Sequence, residues 1–215
     1  ANPYYRKYGA DGKVSRYLYY PEEELEDFPV SNPLWNASLN SWARTGSFGF
    51  TNNFILEWFM TDALRARAKF GLTRADDDEQ SRISPLHTRF DDMGETEKGL
   101  YTNTRVNQMV YEGDASITFG KLFADKHMVN AVGGFNFSSN RQQIYGYSAN
   151  GFTDDQFDAP SFANGYPVGE KPEYKESLKR AVSFYVNGGY VYDDRYLMDF
   201  NYRLDGASMF GTGNR

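Results

Sequence analysis

The side chains able to do chemistry in this chain are carboxylates and aromatic rings. Asp76, Asp77, Asp78 and Glu79 form one acidic run, Asp91 and Asp92 a second, and Asp154 and Asp155 a third. Oxygen ligands of this kind hold hard cations such as calcium, yet none of the runs has the spacing of an EF-hand loop. A loop-bound divalent cation therefore competes with plain solvated acidic loops, and no other cofactor is suggested. A glycoside hydrolase needs two carboxylates at a set separation across a sugar, and nothing singles out such a pair. Cysteine is absent, and His87 and His127 lie far apart, neither in a His-x-x-x-His pair. That pattern disfavours thiolate zinc, a cysteine nucleophile, a histidine metal site and a Ser/His/Asp triad. The chain reads as no enzyme, with no catalytic residues.

The rings are more suggestive. Tyr145, Tyr147, Phe152, Phe157, Phe162 and Tyr166 crowd one long stretch, where they could stack on sugar rings or meet a partner protein. Packing of the loop on itself is the competing reading. The formal net charge of −6 and a pI near 5.0 disfavour a nucleic-acid partner, which needs a concentrated basic surface. An acidic run at Glu22, Glu23, Glu24, Glu26 and Asp27 reads as solvated surface.

The elements that must position these residues are written in a period of two. Aromatic residues make up 17% of the chain while the mean hydropathy is −0.69, and alternation reconciles the two. From Ser47 to Met60 the even positions carry Phe48, Phe50, Phe54, Leu56, Trp58 and Met60, and the odd ones include Thr51, Asn53 and Glu57. Leu64, Ala66, Ala68, Phe70 and Leu72 then oppose Arg65, Arg67, Lys69 and Thr73. Tyr111, Gly113, Ala115, Ile117 and Phe119 oppose Glu112, Asp114, Ser116 and Thr118. Val129 to Phe137, Val182 to Tyr192 and Tyr196 to Leu204 repeat the pattern, the last against Asp199, Arg203 and Asp205. Successive strand residues point to opposite faces, so these are six strands with one apolar face each; a helix would mix the sets.

The connections alternate in length. Those at Thr61 and Asp62, from Gly120 to Lys126, and at Asp193 and Asp194 are short, while the stretches of roughly 74–103 and 140–179 are long. Short turns on one rim and long loops on the other are the habit of outer-membrane barrels, whose strands cross the hydrocarbon in about 9 to 11 residues. Aromatics near strand ends, such as Trp58, Tyr111, Tyr190, Tyr192 and Tyr196, suit the interfacial girdles. The apolar parity then faces outer-membrane lipid. The polar parity, with Arg65, Arg67, Lys69, Glu57, Glu112, Asp114, Asp199, Arg203 and Asp205, faces the lumen, where charges should pair across strands or with a plug. A soluble antiparallel sandwich also alternates and is the competing fold.

Six strands cannot close a transmembrane barrel, because the smallest use eight and lipid cannot satisfy an open edge. The start, Ala1-Asn2-Pro3-Tyr4, has no basic stretch leading into an apolar core, and the end follows directly on a strand. Residues 1–215 are therefore expected to be a fragment of a longer barrel polypeptide.

The run from Tyr192 to Arg215, YDDRYLMDFNYRLDGASMFGTGNR, resembles the pattern YxDRYLxxxxxRxDGSSxFGxxNR of SusC/RagA TonB-linked outer-membrane proteins of Bacteroidetes. It departs at Ala207 and Met209. Other stretches agree: Asn2 to Tyr8, Asn32-Pro-Leu-Trp-Asn-Ala37, Glu57-Trp58 and Phe123-Ala-Asp-Lys-His127. The resemblance implies an all-β fold, part of a 22-stranded antiparallel transmembrane β-barrel in the outer membrane with its long loops extracellular. It implies import of a large nutrient, a glycan ahead of a peptide, with a SusD-like surface lipoprotein over the mouth. It also implies energy from TonB through a plug and N-terminal region outside these residues. A soluble glycan-binding β-sandwich is the alternative.

Overall fold

The computed structural model describes residues 5–19 and 29–208. The family-like stretch at Asn2 to Tyr4, the acidic run 22–27 and the end of the C-terminal motif, 209–215, lie outside them. In order come β1 (Tyr17–Tyr19), β2 (Val30–Ser31), the short helix α1 (Pro33–Ser38), β3 (Trp42–Thr61), β4 (Leu64–Ile83), β5 (Leu100–Phe123), β6 (His127–Asn150), β7 (Glu173–Tyr192) and β8 (Tyr196–Ala207). The last six form one sheet in the order β3-β4-β5-β6-β7-β8, an all-β meander, as the alternation predicts. The only other sheet among the described residues is the pair β1-β2. Among the described residues no second large sheet packs against the first, and the sandwich alternative gains no support.

The strands are longer than the alternation. β3, β4 and β7 have 20 residues, and β5 and β6 have 24. Much of the expected loop at 74–103 and 140–179 is therefore strand, and the true links shrink to 84–99 and 151–172. The reason is visible on one face of β4, where Leu64, Ala66, Ala68, Phe70 and Leu72 give way to Arg74, Asp76, Asp78, Gln80 and Arg82. Hydrogen bonding continues where the apolar demand on that face ends.

The chain divides into two compact units, the first made of described residues within 1–46, with 78–105 and 145–174, the second of 47–77, 106–144 and described residues within 175–215. All four buried hydrophobic residues, Phe90, Tyr101, Ala149 and Phe152, belong to the first. Among its described residues the second unit has no buried apolar side chain; its sheet shows Phe48, Phe54, Leu56 and Trp58 on β3 and Met198, Phe200, Tyr202 and Leu204 on β8 more than half exposed or nearly so. Soluble chains rarely leave a contiguous apolar face of this kind in water.

The register of β7 and β8 sorts the two faces. Phe184 lies opposite Leu204, Val186 opposite Tyr202 and Tyr190 opposite Met198, while Ser183 faces Asp205, Tyr185 faces Arg203 and Gly189 faces Asp199. Opposite residues in an antiparallel ladder share a face, so the apolar and polar sets stay apart. The turns Ala124-Asp125 and Asp193-Asp194 hold two consecutive residues at positive φ, 48° and 54°, then 50° and 54°, a left-handed pair that suits tight hairpins. The two turns are tied by Asp193 N donating to Lys126 O at 2.8 Å.

One glycine in this sheet is dictated by a neighbour. A Cβ on Gly134 would lie 2.2 Å from the Tyr185 ring, whose hydroxyl donates to Asp114 Oδ2 at 3.3 Å, from β7 to β5. Gly134→Val should expel the ring and break this link, costing about 1–3 kcal/mol as an overpacked site. Thermal unfolding of the full-length protein in detergent would show a lowered midpoint; an unchanged midpoint would mean that the ring is not held there.

Candidate functional site

In the first unit the loops are organised by a residue that the sequence does not single out. Arg82, at the end of β4, is 1% exposed. Its Nη2 donates to the carbonyls of Asp155 at 3.2 Å and Phe157 at 3.1 Å, with Asp154 O at 3.4 Å, and its Nη1 donates to Asn40 O. Nη1 also lies 3.5 Å from Asp155 Oδ1, and the guanidinium carbon sits 5.5 Å from the centre of the Phe152 ring. Five donors in a rigid fork make arginine the side chain that can gather several carbonyls while its charge is matched by one carboxylate. Asp155 completes the clasp by accepting from Asn40 N at 3.1 Å.

The 151–172 link is closed at its neck by backbone bonds: Asn150 N to Gly165 O, Asn164 N to Asn150 O, and Gly151 and Phe152 N to Lys98 O, each 2.9 Å. Gly151 has φ +79°, and a Cβ there would come within 2.3 Å of Thr96 O, so only glycine fits. The Asn32-Pro-Leu-Trp stretch has an equally physical basis. Asn32 is fully buried; its Oδ1 caps α1 by accepting from Leu34 N at 3.1 Å, and its Nδ2 donates to Lys7 O and Ser15 O at 2.9 and 2.7 Å. Trp35 Nε1 donates to Leu86 O at 3.3 Å, and Asn36 exchanges hydrogen bonds with Thr88. Together these fix α1 on the 84–99 link.

The six expected contact rings separate. Phe152 is 1% exposed beneath Arg82 and against Gly99, so it is core and offers nothing to a ligand or a lid. Tyr147 is half-buried, 6.0 Å from the Tyr101 ring. Phe157 and Phe162 stack at 4.8 Å and stay about half exposed, as does Tyr166. Tyr145 is exposed with its ring 5.0 Å from that of Tyr174. Only Phe157 and Phe162 stack on each other among the six.

The acidic runs are bound up with cations and amides. Asp76 pairs with Arg74 at 2.7 Å, Asp78 lies 3.6 Å from Arg105 and accepts from Asn103 at 3.0 Å, and Asp91 takes Arg16 and the Tyr17 hydroxyl. Among the described residues no group of three or more histidine, aspartate or glutamate side chains is placed to hold a metal ion. The loop-bound divalent cation thus finds no site there.

On the polar face of the second unit several of the expected charges find partners close by. Arg67 lies 3.4 Å from Glu57 across the β3-β4 hairpin. Arg203 pairs with Asp205 at 2.7 Å on its own strand and donates to Ser183 Oγ at 3.2 Å across it. Asp114 accepts from Tyr185, and Lys69, Glu112 and Asp114 line one hollow of about 290 Å³. For Arg65 the structure adds no contact. These ion pairs and hydroxyls suit a wetted, crowded surface.

No protein-family model matches the chain. Over 209 residues it is 24% identical to TonB-dependent receptor P26 of Formosa agariphila, a match covering 97% of this chain and 20% of that receptor. A 1,4-alpha-glucan branching enzyme GlgB of Rhodopseudomonas palustris is 35% identical over 89 residues, 40% of this chain and 12% of the enzyme; so partial a match carries no enzymatic reading. Among solved structures, the RagAB peptide transporter superposes with a TM-score of 0.74 at 17% identity, covering 94% of this chain and 22% of that one. The RagAB peptide importer in its closed-closed state gives 0.73 at 18%, covering 96% and 22%. The chain thus spans about a fifth of the length of the receptor and transporters it matches. The resemblance to SusC/RagA-type TonB-linked proteins is supported by sequence likeness to a TonB-dependent receptor and by a fold like that of part of the RagAB transporter.

Two outcomes follow from the first unit. Arg82→Met removes the buried cation and strands Asp155 and three or four carbonyls, a loss of about 3–5 kcal/mol; limited proteolysis of the full-length protein should then cut within 151–172 far faster than in the wild type. His87 caps the turn Thr88–Phe90 by accepting from Arg89 N at 3.1 Å. Burial and the Arg89 charge hold its pKa below the usual 6.5, with Asp91 pulling the other way. The unfolded chain therefore takes up this proton first, and the cap's contribution, complete above about pH 6.5, is lost as pH falls through the lower folded value. Hydrogen exchange at the Arg89 amide, corrected for intrinsic rate, should lose protection in that window; constant protection would refute the cap.

Proposed function

We propose that this chain forms wall and mouth of a TonB-linked outer-membrane β-barrel that imports a large nutrient, and that it is one part of a longer polypeptide. The observation that carries this is the second unit itself: six antiparallel strands with a continuous apolar face, an opposite face rich in charges, and no buried apolar side chain among its described residues. In water such a sheet would be unstable, whereas a bilayer covers the apolar face and a plug or wet lumen the other. Both strand edges, on β3 and β8, would be paired by further barrel strands. The similarity to a TonB-dependent receptor and to RagAB supports import across the outer membrane.

On this reading Arg65, Arg67, Lys69, Glu112, Asp114, Arg203 and Asp205 line the lumen, and the 84–99 and 151–172 links are extracellular. Phe157, Phe162 and Tyr166, with Tyr145, are the rings left open for a substrate or for a SusD-like lipoprotein lid; RagAB is itself named as an assembly. Exposed rings favour oligosaccharide, because an aromatic face stacks on a sugar face. Peptide is the second reading, favoured by the RagAB structures, which are described as peptide transporters or importers.

The orientation is directly testable because this chain has no cysteine of its own. In intact cells expressing the full-length protein, Val168→Cys, at a position 88% exposed, should react with a membrane-impermeant maleimide, and Lys126→Cys in the β5-β6 turn should react only after permeabilisation. Equal labelling of both, or the reverse order, would sink the assignment. Loss of growth on oligosaccharide but not on peptide, when the protein is deleted, would decide the substrate class, and the opposite pattern would select peptide.

A further inference from the structure

The apolar face of the second unit ends, on three strands, at an arginine. On β4 the first charged residue of that parity after Leu72 is Arg74; on β7 the residue before Val182 is Arg180; on β6, beyond Phe137 and Ser139, it is Arg141. Contacts fix the parity. Gly113 meets Phe137 and Phe135 meets Phe184 on the apolar side, whereas Asn53 meets Gly71 and Gly134 meets Tyr185 on the polar side. Arg74, Arg141 and Arg180 thus project from the same side of the sheet as Phe70, Leu72, Phe137 and Val182, not from the side of Lys69 and Asp114.

We infer that these arginines bind the phosphate of a lipid headgroup whose acyl chains lie along the apolar face. Adjacent strands lie about 4.8 Å apart, so guanidiniums on β4, β6 and β7 span one to three strand widths, the scale of a single headgroup. Arg74 and Arg141 engage Asp76 and Glu176 through Nε, at 2.7 and 2.6 Å, and both side chains remain about half exposed. Arg180 has no ion-pair partner among the described residues. Its backbone N donates to Ser208 Oγ at 2.9 Å, and with Phe137, Val182 and Ala207 it lines a hollow of about 410 Å³. The two carboxylates would repel a bare phosphate, so the row suits an anion already held at the bilayer surface by its chains, and guanidinium is the group that matches phosphate with two parallel hydrogen bonds.

This inference rests on the barrel-wall reading, and one experiment separates the two. The full-length protein, wild type and R74Q/R141Q/R180Q, would be purified in detergent, checked for heat-modifiable barrel migration, and titrated with monophosphoryl lipid A in native mass spectrometry. The triple variant should bind the lipid at least about tenfold more weakly. Dephosphorylated lipid A should bind wild type and variant equally, and millimolar inorganic phosphate should not displace the lipid. A folded variant that binds monophosphoryl lipid A as tightly as wild type overturns the lipid site alone. Displacement by inorganic phosphate would make it a free-anion site and also overturn the proposal. A wild-type protein that migrates as no barrel overturns the wall reading and this inference with it.

Discussion

Everything in the second unit follows from the need to pair the backbone amides and carbonyls of long strands. A strand's amides can be paired only by its neighbours, so β3 to β8 run as an unbroken meander with three tight turns. Once the ladder is continuous, side-chain direction is no longer free, and each residue is committed to one face or the other. The chemistry of the two faces can then diverge without limit. Phe184, Val186 and Tyr190 lie one residue away from Ser183, Tyr185 and Gly189, yet they meet Leu204, Tyr202 and Met198 while their neighbours meet Asp205, Arg203 and Asp199.

The first unit solves a different problem with different means. Its segments come from three separated stretches of chain, and regular pairing cannot hold them all. A few polar side chains with many partners do so: Arg82 through the carbonyls of Asn40, Asp154, Asp155 and Phe157, Asn32 through three backbone groups, Asn36 through Thr88. Most of these bonds go to backbone amides and carbonyls of the loops, so polar side chains gather the segments while Phe90, Tyr101 and Phe152 supply the buried apolar surface.

What was legible in the sequence divides along the same line. The six strands and their faces could be read because a period of two survives as long as one face must be apolar. From Thr73 to Arg82 on β4, and from Thr102 to Arg105 on β5, both parities are mainly polar, so the strand continues unseen and looks like loop. The contacts of the first unit are long-range in sequence. Arg82 stands near an acidic run and reads as one more solvated charge, and Phe152 reads as an exposed loop ring until Gly99 and Arg82 are seen to close over it. Arg82 shares its parity with Arg74, Asp76 and Asp78, so nothing in the alternation marks it as buried. Asn32, by contrast, stood in a recognisable stretch whose purpose, capping and tethering α1, only the hydrogen bonds reveal.

The Tyr185 phenol that crosses Gly134 to Asp114 has a mechanical consequence. Backbone ladders couple only adjacent strands and leave the angle between them soft, but a side chain that reaches from β7 over β6 to β5 acts as a tether on one side of the sheet. A tether shortens the side it lies on. Here it lies on the side of the charges, so it favours bending that makes this side concave and spreads the phenylalanines and leucines of the other around the outside of the curve.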